Sequence, residues 1–549
     1  MPSIDVSKSD LQNLIGKKLP SDLEELNDLM SYAKCEVESA NGDILKLNLE
    51  DSNRPDLWSV EGLARHFRTF LGAAQVPYKI ESSDYKVFVT DSMKNIRPFM
   101  ACAVIKGLKL NDTIIKQLIQ QQEKIDATYG RNRSKTSIGL YKLDTLKWPL
   151  KYTLTKSDEN AFIPLGGSER MTPQEILSEH PKGQTYGHIL KGHDKYPIFI
   201  DAENKVLSMP PIINSNDLGQ IDNTATNILI EVTGTDHKTV NNVLKIMSLD
   251  LADRGGKIYS VAIDYSFRTL ERTPDFKSFE TRIKISDVNG VLGTQLSAKE
   301  IAMLLNKMNY EASSHSDKDV EIKIPPYRLD VMHPVDVIED IAIAIGYNKF
   351  ERKPLELPIS GGLSDEEILS DKIREFCIGL NGQEIVNFNL TDKESLFQKN
   401  NIPEEELIEI ENPVVQTQNV MRNTLIASAL EFLSKNITRE FPQKIFEVGD
   451  VTHFTPGEET GSKNEKRICF AITHSNANYT EIKQHLESLF SNLNWDLKVK
   501  ETDYPVFLVG RCAAIETPEG IIGLIGEVHP QVLNNWGIEQ PVSLFEFKL

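Results

Sequence analysis

An α+β multidomain protein is what this sequence predicts, on three observations. The chain has 549 residues, several times the ~150 residues typical of one domain. Apolar residues recur with period two in some segments and at helical spacing in others. The last third carries strand candidates at 384–390, 407–410, 444–448, 467–472 and 520–525, with helices between several of them. That alternation suits a mainly antiparallel sheet.

The elements follow in order. Leu45, Leu47 and Leu49 alternate with polar residues as a half-buried strand does, and Val60, Leu63, Ala64 and Phe67 fall on one helix face. Asn53-Arg54-Pro55-Asp56 between them reads as a proline-bearing corner, with Arg54 and Asp56 serving as turn and cap. Turn residues at 75–84 mark a boundary, so the first unit spans 1–80 and the second 81–270. The second holds a strand at 228–232 and a helix carrying Val240, Val243, Leu244, Met247 and Leu251, closed near Arg254-Gly255-Gly256. A third unit, 271–350, shows a capping box at Ser297 and Glu300, an apolar helix stripe at Ile301, Leu304, Leu305 and Met308, and a strand at Val320, Ile322 and Ile324. Pro334 starts its last helix and Gly346 ends it. A linker runs from Lys353 to Gly362, Ser364 and Glu367 offer another capping box, and the last unit spans 360–549.

Composition excludes several classes. Hydrophobic residues at 40% and charged residues at 26% are ordinary globular usage, against wholesale disorder or a fibre. A net charge of −19 repels polyanions at long range, so any RNA contact must be local. No run approaches the ~20 apolar residues of a membrane span, and the opening residues lack a basic segment before an apolar run, so a cytoplasmic protein is expected. Five scattered cysteines without Cys-x-x-Cys fit neither a disulfide framework nor a zinc site.

The chemistry-bearing signal is Tyr327-Arg328-Leu329-Asp330 followed by Asp336, Glu339 and Asp340. In a helix starting at Pro334 the last three share one face at i, i+3 and i+4, and Asp330 can approach from the preceding turn. Like charges so stacked repel unless a cation joins them, and hard oxygen ligands favour Mg²⁺ over zinc. A solvated acidic face, eased by the helix N-terminus and Arg328, explains the same pattern.

Taken with Ser59-Val60-Glu61-Gly62-Leu63-Ala64-Arg65, Phe446-Glu447-Val448-Gly449-Asp450 and Gly526-Glu527-Val528-His529-Pro530, those motifs resemble the phenylalanyl-tRNA synthetase β chain over essentially the whole sequence. The resemblance implies a B1-like region at 1–80, a B3/B4 tRNA-editing domain at 81–270, a winged-helix-like B5 domain at 271–350 and a B6/B7 domain like a class II synthetase core at 360–549. Length and ending are similar to the archaeal and eukaryotic form, with no room for the extra anticodon-binding domain of bacterial β chains. Asp330, Asp336, Glu339 and Asp340 match the family's magnesium positions, a site shared with the α subunit. Neither a Gly-x-Gly-x-x-Arg nor an Arg-x-Glu motif stands suitably after residue 365. The resemblance therefore implies a non-catalytic last domain packed against α, in an α₂β₂ assembly whose α chains bind ATP and phenylalanine and which acts on tRNA(Phe). A free-standing editing or RNA-binding protein is the other reading, and it leaves the last domain without a use.

The resemblance also implies proofreading. An activation site for phenylalanine rejects tyrosine by only ~10²-fold, because an added hydroxyl is poorly excluded from an apolar pocket. Hydrolysis of mischarged Tyr-tRNA(Phe) then falls to the B3/B4 domain. The candidates are Asn214 and Ser215 after Pro210-Pro211, and Thr233, Thr235 and Asp236, with Arg131 and Arg133 for the RNA end. Asp236 reads equally as the N-cap of the helix that follows, and Asn214-Ser215 equally as a loop turn. With no serine-histidine-acid set, a positioned water is the expected nucleophile. Two departures stand out: Ile125-Asp126 replaces the family's usual Leu-His, and Leu140-Tyr141-Lys142 replaces Thr-His-Asp.

Overall fold

Leu45, Leu47 and Leu49 are buried on the strand Ile44–Leu49, the middle of a three-stranded antiparallel sheet with Ser3–Ser7 and Cys35–Asn41. The computed structural model describes residues 3–49, 53–314, 316–354, 359–517 and 520–549. Its chain forms two compact units, 1–353 and 354–549. Residues 355–358 of the expected linker lie outside the described residues.

After the first sheet, a 3-10 turn Pro55–Leu57 leads into the helix Val60–Phe70. Asp56 does not cap this helix. It takes both hydrogen bonds of a buried fork from Arg54, at 2.9 and 2.8 Å, while the Ser59 hydroxyl accepts from Gly62 N. The Asp56 carbonyl oxygen would lie 1.7 Å from a Cβ at Gly62, so only glycine permits this turn.

The same unit contains an eleven-stranded sheet. From one end it runs Ile213–Asn214, Val206–Met209, Lys195–Ile200, Leu150–Lys156, Lys86–Val89, Lys257–Tyr265, Phe99–Lys106, Asn227–Gly234 and Thr136–Lys142. Glu271–Thr273 and Ile80–Glu81 pair with Lys257–Tyr265 off this path. The helices Asp112–Ala127 and His237–Asp253 share one core with the N-terminal sheet and the helix Val60–Phe70. Arg65 ties that helix to His237–Asp253 through Asp250 and Asp253, and Ser59 donates to Asp250 at 3.1 Å. Although its strand order separates them, the two ends of the sheet curl together. Tyr141 Oη on Thr136–Lys142 lies 2.8 Å from Ser208 Oγ on Val206–Met209.

A smaller antiparallel sheet, Phe279–Lys284, Asp319–Ile324 and Glu311–Ser313, packs with the helices Ile285–Leu292, Ala298–Lys307 and Pro334–Ile345. The Ser297–Glu300 capping box forms in both directions, and Gly346 follows the last helix with φ +96°.

In the second unit, seven strands run Gln383–Glu384, Gln443–Phe454, Ser462–Thr473, Val542–Lys548, Gly520–Val528, Phe507–Thr517 and Lys498–Glu501. All neighbours are antiparallel except the first pair. The strand expected at 384–390 breaks into Gln383–Glu384 and Leu390–Thr391, because Asn387 instead gives its backbone N–H and Nδ2 to Glu447. At 407–410 only an isolated bridge from Glu409 to Val420 forms. Among the described residues no helix is long and apolar enough to cross a membrane.

Candidate functional site

Where the ends of the large sheet meet, a cavity of about 630 Å³ opens. Leu118, Ile119, Ile138, Leu140, Ile212 and Ile213 give it apolar walls. Ser137, Ser208, Asn214 and Glu231 are polar groups on its lining. A few convergent polar atoms in an apolar pocket are the usual makeup of a small-ligand site.

Glu231 interrupts the apolar run Ile228-Leu229-Ile230 and Val232 of the buried strand Asn227–Gly234. Its Oε2 accepts from Tyr141 Oη at 2.8 Å, while Oε1 is buried without a hydrogen-bond partner. Burial pushes its carboxyl up to about 7, against the opposing pull of the Tyr141 and Thr233 hydroxyls and the Arg97 guanidinium.

Of the residues expected in the site, Asn214 and Arg133 line the cavity. Thr233 is fully buried, and its Oγ1 lies 3.1 Å from Arg97 Nε and 3.3 Å from the lining Ser137 hydroxyl. Ser215 Oγ accepts from Leu218 N at 3.3 Å inside a turn. Thr235 Oγ1 donates to Ser134 O at 3.4 Å. Asp236 is the N-cap of His237–Asp253, accepting from Thr239 N at 2.7 Å, and the Thr239 bonds hold its carboxyl below the ordinary range.

Arg131 is exposed, whereas Arg133 is committed to the protein. Arg133 Nη1 donates to the carbonyls of Pro211 and Ile212 at 3.2 and 2.9 Å, its Nε lies 3.3 Å from Asp126, and its plane covers the Tyr186 ring at 4.4 Å. Arg133 therefore binds the cavity rim, and Arg131 is the arginine of the pair left facing solvent. Residues 131–133 have φ of 50, 50 and 66°, a left-handed turn that costs about 1 kcal/mol or more per residue. Buried Arg97 holds it, donating to the Arg133 and Thr233 carbonyls at 3.1 and 2.7 Å. Glu231, Tyr141, Ser208 and Arg97 were not nominated from sequence. The available signal was the lone glutamate in Ile228-Leu229-Ile230-Glu231-Val232, since buried carboxylates are rare without a purpose.

The acidic cluster has a different character. Asp330, Asp336, Glu339 and Asp340 all line one small cavity beside Lys34 and Arg54. Arg328 donates to Asp330 at 2.9 and 2.6 Å and to Asp340 at 2.6 Å, and Tyr310 also bonds Asp340. Lys34 takes Glu339 at 2.7 Å. Asp336 Oδ2 accepts from Met332 N and His333 N at 2.8 and 2.7 Å, completing a capping box with His333. Among the described residues no three Asp, Glu, His or Cys side chains converge as a finished metal cage. The hard oxygen donors fit Mg²⁺ in kind, with protein cations now occupying the places nearest them.

Comparison with known proteins gives the class first. Residues 281–347 match the tRNA synthetase B5 domain, and residues 352–549 match the phenylalanyl tRNA synthetase β chain CLM domain, which makes this chain an aminoacyl-tRNA synthetase component. Phenylalanine–tRNA ligase β subunits from Thermococcus sibiricus and Pyrococcus furiosus are 41% and 42% identical, each over all of this chain and 98% and 99% of its own length. A crystal structure of an N-terminal fragment of the Pyrococcus horikoshii phenylalanyl-tRNA synthetase β subunit aligns over 63% of this chain and 100% of that one, at 42% identity and a TM-score of 0.61. The chain belongs to the phenylalanine–tRNA ligase β subunit family.

Proposed function

We propose that this chain works with an α partner to attach phenylalanine to tRNA(Phe), and that the cavity in its large sheet hydrolyses mischarged Tyr-tRNA(Phe). In this reading 1–80 is the B1-like region, 81–270 the B3/B4 editing domain, 271–350 the B5 domain and 360–549 the class II-like B6/B7 domain. The α chain supplies the ATP and phenylalanine sites, in an α₂β₂ assembly.

One observation carries the editing assignment: Glu231, whose Oε1 is buried without a hydrogen-bond partner, lines an apolar cavity. An aromatic ring fills such walls, and a phenol, unlike a phenyl, can donate to that oxygen. Asn214 lines the same cavity and is available to orient the ester or its attacking water. Thr233 acts through Ser137 and Arg97, and Asp236, Thr235 and Ser215 shape the surrounding turns. Exposed Arg131 is the arginine offered to the RNA end, with Arg133 bracing the rim.

The test uses the assembled α/β enzyme. Glu231→Gln should slow Tyr-tRNA(Phe) clearance by about 10- to 100-fold, the range for an interaction worth ~1.4–3 kcal/mol. Unaltered clearance defeats the assignment. Phenylalanine charging by this chain without α defeats the division of labour.

Mg²⁺ would be held by Asp330, Asp336, Glu339 and Asp340, and the helix Pro334–Ile345 sets three of them on one face. The ion would supply positive charge to a crowded acidic face and so firm the contact with α. Asp336 contributes its uncapped Oδ1, while Arg328 and Lys34 limit how closely the others approach. Asp336→Ala should lower bound magnesium and weaken α/β assembly, whereas unchanged metal content in the purified complex removes the site.

A further inference from the structure

Glu231 lines the cavity with one carboxylate oxygen, Oε2, spoken for and the other, Oε1, buried without a hydrogen-bond partner. Tyr141 Oη lies 2.8 Å from Glu231 Oε2 and 2.8 Å from Ser208 Oγ. A phenol has one proton to give, so Tyr141 donates to the carboxylate and its oxygen accepts from Ser208. The chain of bonds crosses the seam where the two ends of the large sheet meet, and all three side chains are buried. Gly139 makes room for it: a Cβ there would stand 2.4 Å from both Glu231 Oε2 and Tyr141 Oη.

We infer that Tyr141 is a positioning residue for proofreading: with Ser208 behind it, it fixes Glu231 so that Oε1 stands in the cavity as an ionised acceptor for a phenolic hydroxyl. The inference rests on the reading of this cavity as the tyrosyl-ester site. Its physical basis is that a buried carboxylate keeps its charge only where donors face it, and charge-assisted bonds are about twice as strong as neutral ones. Of the other groups facing Glu231, the Thr233 hydroxyl also favours the charged form, and the rest supply less direct help. Arg97 is positive but spends its hydrogen bonds on Thr233, Ser137, Arg133 and Ser134. Burial pushes the Cys102 thiol and the Tyr152 hydroxyl up, so both stay neutral. Asp126 is itself raised by burial and paired with Arg133. With Tyr141 gone, the carboxyl, already raised to about 7, is pushed further up, holds its proton through neutral pH and offers a weaker acceptor.

The experiment compares hydrolysis of Tyr-tRNA(Phe) and Phe-tRNA(Phe) by the α/β enzyme across neutral pH, for wild type, Tyr141→Phe, Ser208→Ala and Glu231→Gln. In Tyr141→Phe, KM for the tyrosyl ester should rise about tenfold at neutral pH with kcat nearly retained. The pH at which tyrosine preference appears should move up by about one unit, so that alkaline buffer rescues the variant. Ser208→Ala should shift it the same way by less, and Glu231→Gln should lose both preference and pH dependence. Phenylalanine charging by each preparation reports assembly; if Tyr141→Phe fails that control, Ser208→Ala decides. A wild-type profile in Tyr141→Phe, or in Ser208→Ala where that variant decides, overturns the positioning role while Glu231→Gln remains impaired. A normal Glu231→Gln overturns the cavity assignment instead.

Discussion

Glu231 and Asp330 are both buried carboxylates in the first unit, and they have opposite lives. Burial pushes Glu231 up to about 7, outweighing the Tyr141 and Thr233 hydroxyls and Arg97. Burial also acts on Asp330, yet Arg328 and Arg54 outweigh it and hold that carboxyl well below its ordinary value. The lesson is that depth alone does not make a carboxylate reactive. An unfilled partner position beside a ligand-sized cavity does, and Glu231 combines the two.

The hardest test of that contrast is Arg328→Met. It leaves buried Asp340 without its guanidinium and Asp330 with Arg54 alone, and should cost about 3–5 kcal/mol of stability, measured by denaturant titration. Adding Asp330→Asn and Asp340→Asn should recover most of the loss, and a single variant as stable as wild type would break the comparison. Next comes Glu231→Gln, read as stability against pH. A carboxyl raised from 4.5 to about 7 binds its proton more tightly when folded. It therefore adds stability below the unfolded value, and that stability is lost as pH rises through about 7. Glu231→Gln should thus be more stable than wild type at alkaline pH by about 3 kcal/mol, with a shallower slope between pH 7 and 4.5. Asp330 has the reverse sign: its contribution is present above the unfolded 3.8 and disappears as pH falls towards its lowered folded value. The smallest effect is at Asp236, where Asp236→Ala should cost about 1 kcal/mol by removing the cap and Asp236→Asn should restore it. If Asn restores stability without restoring Tyr-tRNA(Phe) hydrolysis, Asp236 does chemistry as well as capping.

Local signals were the legible ones. The alternation at Leu45, Leu47 and Leu49, the Ser297–Glu300 capping box and the Pro334 start all act within a few residues, and the chain follows each. The four carboxylates of the acidic motif were visible for the same reason, since a helix sets three of them on one face. The partners that neutralise them were less visible: Lys34 reaches Glu339 across 305 residues of sequence. Glu231 and Tyr141 stand in quoted segments, but their meeting with Ser208 depends on the curl of a sheet whose order places those strands far apart. The broken strand near 384–390 failed similarly, because Asn387 answers to Glu447 rather than to its neighbours.

The left-handed turn at 131–133 has a consequence for the order in which the molecule comes apart. Only Asn132 of the three favours that backbone; the turn's own hydrogen bonds and Arg97 hold it together, Arg97 joining the Arg133 carbonyl across 36 residues to the Thr233 carbonyl across 136. Closing such long loops comes late in folding, and what closes late with strain opens early. In dilute urea the rim of the cavity should therefore loosen first, so that proofreading fades while the far-ultraviolet signal of the helices is still whole.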